Sequence, residues 1–508
     1  MRQHIFVLEL ATPENAFLIG ATREHYGSAA FKSIQERISD LGGSVRQAGI
    51  ADGALINRIN REESEESSGS EDVKPIMRDI EKLVFDAMEE RVSDIHIETR
   101  GSGAMVRFRI NGRLRKHSDS WTADYVMTLA RALHTMADEE SKSPTFNTDA
   151  QLSVTRELPN GAKVKLRAQL SPAYPDGAID IVIRVLMVDA KAQVRSLADL
   201  GYSSDHIAML EYMRASPHGL IVIAGETGSG KTTTLQTIMH MIRSTDHGLK
   251  LISIEDPPEY VLEGVTQIPV ARRRDKPDEN PFVAPMRNTM RMDPDVIMLG
   301  EIRDSITADL MTGMVTSGHK ALTTIHTESA LGIIGRLRNM GVDPDVLGAR
   351  GFLSGLVFQT LVPTLCPHCK VEFESRPDLV AGPLGDRVRH VAKPGDTLFV
   401  ESETGCKHCK FTGIVGRTVC AEMVVPDNVI REAIMAGDMR KAREHWRGLR
   451  DLDDQDSMLG ATALDHAIQK MRRGDVSPIS VESSLGLLHD FTRSDINTRT
   501  GASLGLAG

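Results

Sequence analysis

Two hydrophobic periodicities alternate along the chain, and their order predicts its architecture. Between residues 200 and 365, short runs that are apolar at nearly every position (LIVIAG, LISIE, DVIMLG, ALTTIH) are separated by helical patterns such as LQTIMHMIR. A run with no polar face is a strand covered on both sides, and strands spaced by helices join as parallel neighbours through crossovers. Residues 200–365 therefore read as an α/β core. Upstream the period changes. Ile76, Ile80, Leu83, Val84 and Ala87 recur at helical spacing; then Ile95 and Ile97, and Val106, Phe108 and Ile110, alternate with polar residues. A period of two marks strands with one buried face. The other face carries Arg107 and Arg109, and Asn111-Gly112 is the dipeptide of a two-residue hairpin. Leu166 to Leu170 and Ile179 to Leu186 continue the series around a turn at Asp176-Gly177, so 73–190 reads as a smaller α/β domain with arginine-bearing strands.

Residues 1–60 form a small α/β module of their own. Strands are expected at Ile5 to Leu10 and Ala16 to Ala21, and Phe31, Ile34, Ile38 and Leu41 line a helix that ends at Gly42-Gly43. Segment 61–72, REESEESSGSED, sets six acids and four Ser against one Arg, so it has nothing to bury and reads as an acidic flexible linker. At the other end, 426–490 is helical by the spacing of Ile430, Ile434 and Met435 and of Leu464, Ile468 and Met471. Residues 491–508 read as a disordered tail.

Composition narrows the classes. At 41% hydrophobic and 26% charged residues the chain is of ordinary globular type, and 508 residues leave room for about three domains. No run of 18 apolar residues encodes a membrane helix, and the start MRQHIFVLEL lacks the basic and apolar regions of a signal peptide. The 60 basic and 70 acidic residues give a net charge of −10, and aromatics are only 4%. The charge balance argues against direct nucleic-acid binding or an anionic lipid surface as the main business, and the scarcity of aromatics against a platform for base stacking. Five Cys are too few for a disulfide-stapled scaffold, and the expectation is a cytosolic protein.

Chemistry concentrates in the α/β core. Gly225-Glu226-Thr227-Gly228-Ser229-Gly230-Lys231-Thr232 fits GxxxxGK[ST] in full, follows the apolar run Leu220 to Ala224, and is expected to open a helix at Thr233. Such a loop turns backbone N–H groups inward as an anion nest at a helix N-terminus. Lys231 would reach the β- and γ-phosphates of a nucleotide, and the Thr232 hydroxyl would hold Mg²⁺. A carboxylate must orient the attacking water. Glu301, just past the run Val296 to Leu299, is the candidate, because strand ends of such sheets gather beside the phosphate loop. A second acidic cluster, Glu255-Asp256-Pro-Pro-Glu259, follows Leu251 to Ile254. It either supports Mg²⁺ through water, positions the nucleophile, or is a rigid acidic loop. His319 and His326 flank the run Ala321 to Ile325; each is either a γ-phosphate donor or a structural histidine.

Cys366-Pro-His-Cys369 and Cys406-Lys-His-Cys409 stand 36 residues apart. Two CxxC knuckles closing on one tetrahedral Zn²⁺ would make a structural site with no open position. Paired disulfides or cysteines without a metal are the alternatives, and Cys420, in an apolar run, reads as core. The cysteines define a segment 366–425.

In this order these elements resemble the secretion and pilus ATPase superfamily, the motors of type II secretion, type IV pili and related machines. GETGSGKTTT, ISIEDPPEY, MRNTMRMDPDVIMLGEIRD and TSGHKALTTIHTESA carry the resemblance, with SDIHIE and VRFRINGRL upstream, over residues 75–425. It implies a P-loop, RecA-like ATPase domain, a PAS-like α/β domain closing over each nucleotide, a zinc-binding C-terminal subdomain, and a homohexameric ring with arginines donated around ATP. By motif match, Arg287, Arg291 and Arg303 fall on the family's arginines near the strand of Glu301, and Arg109 on the N-terminal one. An arginine supplied across an interface is worth ~10³–10⁵ in rate. The chain departs from the family pattern at HTE, usually HTN, and at Pro363 and Thr364, which replace a basic pair before the cysteines. The resemblance implies a cytoplasmic Mg²⁺-dependent ATPase, peripheral at the inner membrane through a platform protein, that powers type IV pilus assembly or type II secretion. A DNA-uptake or DNA-translocation ATPase and a pilus retraction ATPase are the alternatives. The charge balance argues against the first and the tetracysteine element against the second. A nucleotide-binding regulator without turnover is countered by Glu301 and the Lys231-Thr232 pair.

Overall fold

The structure, a computed structural model, describes residues 5–10, 16–22, 26–40, 44–50, 73–90, 92–138, 141, 145–158, 161, 163–187, 194–256, 258, 260–270, 280–451, 454 and 456–488. The acidic segment 61–72, the tail 491–508, and Pro257 and Glu259 of the acidic cluster lie outside the described residues. The chain falls into two compact units. One is Met1–Phe108, Lys116–Val154 and Leu166–Val185; the other is Arg109–Arg115, Thr155–Lys165 and Leu186–Gly508.

The N-terminal strands β1 (Ile5–Leu10), β2 (Ala16–Ala21) and β3 (Ser44–Ile50) form one small sheet in that order. β1 and β2 occupy the residues their apolar runs predict. β3 runs parallel to β2, so the chain must cross over, and the helix Ala29–Asp40 makes the crossing with Phe31 and Ile38 packed on Ile19 and Ala21. The next sheet holds β4 (Asp94–Arg100), β5 (Gly103–Ile110), β6 (Arg113–Thr122), β7 (Ala150–Glu157), β8 (Lys163–Ala173) and β9 (Ala178–Met187), ordered β6-β5-β4-β9-β8-β7. Ile95, Ile97, Val106 and Phe108 are buried, as the alternation requires. Asn111 and Gly112 have φ of 51° and 84°, the pair of positive values a type I′ hairpin needs. The opposite face is less open than its arginines suggest: Arg107 donates to the Glu98 carboxylate, which also accepts from Arg100 at 2.9 Å. β7 has no counterpart in the sequence reading, because Leu152 and Val154 alone are too few to establish a period.

The second unit contains β10 (Gly219–Ala224), β11 (Leu251–Glu255), β12 (Val265–Pro269), β13 (Val296–Leu299), β14 (Lys320–Ile325), β15 (Leu353–Leu365), the short pair β16 (Val371–Glu372) and β17 (Phe399–Val400), and β18 (Ile414–Val424). Seven of them form the sheet β12-β11-β13-β14-β10-β15-β18, parallel throughout except for β18. β10, β11, β13 and β14 are buried at every residue, which explains why their sequences lack a polar face. Each face has its own core. Leu220, Val222, Ile297 and Leu299 pack with Met286, Met311 and Ile334 on one side. Ile221, Ile223, Val296 and Met298 pack with Leu210, Leu235 and Ile238 on the other. Each such side chain stabilises the fold by ~1.5–3 kcal/mol. Helices Asn428–Ala436, Met439–Gly448, Ala463–Arg472 and Pro478–Leu485 follow β18, as the spacing in 426–490 predicts.

Register places the chemistry. Ile254 pairs with Leu299, Leu299 with Thr323, and Ala224 with Ile325. Four adjacent parallel strands thus end at one level, and the residues at or just past those ends are Glu255, Glu301, His326 and Gly225.

Candidate active site and metal centre

The phosphate loop leaves β10 at Gly225 and enters the helix Lys231–Thr245, which starts two residues before the expected Thr233 because Gly230 is itself the N-cap. Gly225, Gly228 and Gly230 have φ of 148°, 80° and 83°. A Cβ on Gly225 would stand 2.3 Å from the Gln359 carbonyl oxygen, so glycine is required there by close approach as well as by conformation. Lys231 is buried. Its Nζ donates to the Gly225 carbonyl at 2.7 Å and the Glu226 carbonyl at 2.8 Å. Burial lowers its pKa to about 8, against the pull of the Glu301 and Glu226 carboxylates. Ser229 Oγ is buried with no hydrogen-bond partner. A cradle of N–H groups, an ammonium turned onto the loop's own carbonyls and an orphaned hydroxyl fit a phosphate chain. Thr232 sits half-buried in the first helical turn.

Glu301 lies beside this loop. Arg303 Nε donates to its Oε2 at 2.9 Å, and His326 Nε2 lies 3.3 Å from its Oε1. Burial and the neighbouring Lys231 ammonium lower the His326 pKa, while the Glu301 carboxylate opposes them, so the ring is neutral near pH 7. His319 is separated from the site by the length of β14. At the amino end of that strand it contacts Ser317 Oγ at 3.0 Å and the Met314 carbonyl at 3.1 Å, a structural arrangement. Glu255 is buried, with Ser253 Oγ donating to it at 2.6 Å and Gln267 Nε2 at 3.0 Å. It is therefore a fixed carboxylate at the end of β11.

The structure thus brings Lys231, Glu301, His326, Arg303 and Glu255 to one edge. The other three arginines are placed differently. Arg287 lies in the last turn of the helix Val283–Thr289 and is exposed, as is Arg291 beyond it. Arg109 donates to the Gly112 carbonyl of its own hairpin at 3.0 Å.

Three residues at the loop escaped the sequence reading. Gln359 on β15 donates through Nε2 to the Ser229 carbonyl at 2.7 Å and accepts from the Tyr202 hydroxyl at 2.6 Å. Arg417 on β18 donates to the Gly228 carbonyl at 3.3 Å. All are distant in sequence from the loop; Gln359 falls in the stretch before the cysteines that was compared with the family pattern, but nothing there gave it a role, and Tyr202 and Arg417 belong to no motif.

Cys366, Cys369, Cys406 and Cys409 bring their sulfurs within 4.8 Å of one another. Cys366–Cys406, Cys369–Cys409 and Cys406–Cys409 are 3.8, 3.7 and 3.8 Å apart. Tetrahedral ligands at about 2.3 Å from a zinc ion stand ~3.8 Å from each other, so the set fits that ion, and all four are free thiols rather than disulfides. Burial works against ionising Cys409, but backbone N–H groups of Cys406, Gly413 and Thr412 outweigh it and bring its pKa down to about 6. His368 and His408 pack on each other with ring centres 4.3 Å apart, outside the sulfur cluster. Cys420 is fully buried, and burial pushes its thiol up to about 12, in keeping with a core position. Among the described residues no helix is long and apolar enough to cross a membrane.

Residues 69–470 match the family model described as Type II/IV secretion system protein. Type II secretion system protein E of Pseudomonas aeruginosa is 31% identical over 469 residues, covering 91% of this chain and 87% of its own length. The protein of the same name from Aeromonas hydrophila is 34% identical over 420 residues, covering 81% and 78%. Two solved structures share the fold. The pilus retraction motor PilT with bound ADP aligns with a TM-score of 0.52 at 21% identity, over 80% of this chain and 96% of its own. The ATPase DotB of Legionella pneumophila aligns with a TM-score of 0.55 at 20% identity, over 80% and 94%. With its sheet, phosphate loop and cysteine cluster all inside the matched residues, the chain belongs to the type II/IV secretion system protein family.

Proposed function

We propose that this chain is a Mg²⁺-dependent ATPase that powers type II secretion or type IV pilus assembly. The observation that carries the reading is the sheet edge at which the three-glycine loop, Lys231, Glu301 and His326 meet. Lys231 exchanges the carbonyls of Gly225 and Glu226 for β- and γ-phosphate oxygens, and the N–H groups around Gly228 and Gly230 take the others. Thr232 would hold Mg²⁺, which would supply charge neutralisation between the phosphates. Glu301 orients the attacking water and draws its proton, with Arg303 fixing one carboxylate oxygen so that the other faces the phosphate. Neutral His326, poised between Glu301 and the loop, donates a hydrogen bond to the γ-phosphate and registers its departure. Glu255, held by Ser253 and Gln267, would help to hold Mg²⁺ through water.

In this proposal the exposed Arg287 and Arg291, with Arg109 from the N-terminal sheet, serve a nucleotide across the joint between copies in a six-membered ring. The ring works on the cytoplasmic side of the inner membrane, docked on a platform protein that its domain motion turns. The four cysteines would hold Zn²⁺, which would supply a fixed crosslink between the end of β15 and the start of β18. The relatives named for type II secretion support the biological setting. The test is phosphate release from ATP by the purified full chain, with and without Mg²⁺, over a range of protein concentrations. Release that requires Mg²⁺ and rises in specific activity with concentration supports the reading; ATP bound but never turned over at any concentration overturns it.

A further inference from the structure

We infer that Gln359 and Tyr202 are positioning residues for the phosphate loop: a buried proton-ordered chain from Thr234 through Tyr202 and Gln359 to the Ser229 carbonyl aims the Gly230 N–H at the bound phosphate. The inference rests on the proposed nucleotide site and adds to it two residues to which no motif gave a role.

The direction of each hydrogen bond is fixed by what the atoms can do. The Ser229 carbonyl can only accept, so the Gln359 amide must turn its Nε2 toward it, at 2.7 Å. That leaves Gln359 Oε1 facing the Tyr202 hydroxyl at 2.6 Å, and an amide oxygen can only accept, so Tyr202 donates. A phenol has one proton. The 3.1 Å contact between Tyr202 and Thr234 is therefore donated by the Thr234 hydroxyl. The chain has one polarity, and it begins and ends on the same loop-and-helix unit, on either side of Lys231 and Thr232. All its side chains are buried: Thr234 and Gln359 are 0% exposed and Tyr202 is 4% exposed. Burial also raises the tyrosine's pKa, so the proton it donates stays in place across the working range.

The consequence follows from peptide geometry. In a trans peptide the C=O and the following N–H point in opposite directions. Tying the Ser229 carbonyl to Gln359 on one side of the loop turns the Gly230 N–H to the other side, where the nest opens. Gly230 carries φ of 83°, and a Cβ there would meet Gln359 Nε2 at 3.3 Å, so the loop is pressed onto the amide that orients it. Without the amide that peptide is free to rotate, and the nest loses one aimed donor.

Both residues are held from outside the loop. Phe358, next to Gln359, is paired in register with Ala224 of β10, so the amide cannot drift from the loop it serves. Tyr202 follows a short helix, Leu197–Leu200, whose capping box joins Ser196 and Asp199, and its N–H closes the turn on the Leu197 carbonyl at 3.0 Å. Gly201 between them has φ of 102° and a would-be Cβ 2.0 Å from Thr418 Oγ1, so that turn admits one path only.

The test compares wild-type protein with Gln359→Met, Tyr202→Phe and the double variant. It reads affinity for a fluorescent ADP and steady-state ATP hydrolysis, with thermal unfolding as a check on folding. Both single variants should bind ADP more weakly, Gln359→Met by about tenfold and Tyr202→Phe by less, since a buried group is left unpaired in each. The change should fall on KM, with turnover at saturating ATP kept within about twofold, because the Gly230 donor serves ground state and transition state alike. The double variant should be no weaker than Gln359→Met, because both changes cut one chain. A purely structural role would instead lower the active fraction, reducing kcat at unchanged KM. Unchanged ADP affinity in folded Tyr202→Phe and Gln359→Met overturns the inference and leaves the ATPase reading standing. If Gln359→Met does not fold, Tyr202→Phe decides alone, by weaker or unchanged ADP binding. A wild-type chain that binds no ADP overturns both.

Discussion

Lys231 is the residue at which binding and stability pull in opposite directions, and the size of the conflict can be worked out. Its ammonium is buried against two backbone carbonyls at 2.7 and 2.8 Å, and burial lowers its pKa from 10.5 to about 8. The unfolded chain keeps the proton up to its ordinary 10.5, whereas the folded chain releases it near 8. Folding therefore penalises the charged form. The penalty is complete below pH 8 and disappears as the pH rises from 8 to 10.5, where the unfolded state binds more protons. At about 1.36 kcal/mol for each tenfold change in acidity the displacement corresponds to ~3 kcal/mol. A loop that meets water on one side warrants about half of that, ~1.5 kcal/mol. Lys231→Met keeps the length of the side chain and removes the charge. The nucleotide-free variant should unfold ~3–6 °C above the wild type near pH 7. That gap should shrink by about half on moving to about pH 9.5. Adding ADP should reverse the order, because only the wild type gains stability from a ligand it can bind. Thermal unfolding of both proteins at the two pH values, with and without ADP, is the assay. A Lys231→Met protein less stable than the wild type near pH 7, or a gap that ignores pH, would show that burial of the ammonium does not cost the fold stability.

Further outcomes follow from the metal centre and from the arginines. Cys366→Ser or Cys409→Ser should release zinc and loosen the segment between the knuckles, because metal binding of ~10–16 kcal/mol in small peptides is folding energy. ADP binding should largely survive, since β15 is fixed along β10 independently of the cysteines. Metal analysis of freshly purified, reduced protein that finds no zinc would end this idea. Mixing inactive Glu301→Gln with inactive Arg109→Ala should restore turnover if Arg109 acts across a joint between copies. A site built on the Lys231 and Glu301 of an Arg109→Ala subunit can then borrow Arg109 from a Glu301→Gln neighbour, and an arginine of this kind is worth ~10³–10⁵ in rate. No recovery under conditions of proven subunit exchange would count against a shared site.

What could be read from the chain depended on whether a single segment carried the whole constraint. The phosphate loop was legible because Gly225, Gly228 and Gly230 each adopt positive φ, so the geometry is written in three glycines within one six-residue segment. The cysteine centre was legible because each CxxC is a local knuckle, although the 36 residues between them concealed how near the two pairs lie. Glu301 could be singled out because a wholly apolar strand ends just before it. The roles of His319 and His326 could not be separated from sequence, since both flank one strand; β14 puts one at each end, and only its carboxyl end meets the loop. Arg107 could not be assigned either, because its partner Glu98 lies on a neighbouring strand. Gln359 and Tyr202 were invisible for the same reason in stronger form. They reach the loop from positions 130 and 32 residues from their partners Ser229 and Thr234, and each is an ordinary residue until the sheet is assembled.

In the proposed reaction the carboxyl edge of the sheet binds ATP with one set of residues and cleaves it with another. Glu301→Gln separates the two, because the amide keeps the shape and the contact with Arg303 is weakened but the charge that activates water is gone. The decisive measurement is ATP binding and phosphate release in parallel on the purified Glu301→Gln chain. ATP affinity should stay within a few-fold of the wild type, with turnover lower by about 10²–10⁴. Wild-type turnover in that variant would contradict that division.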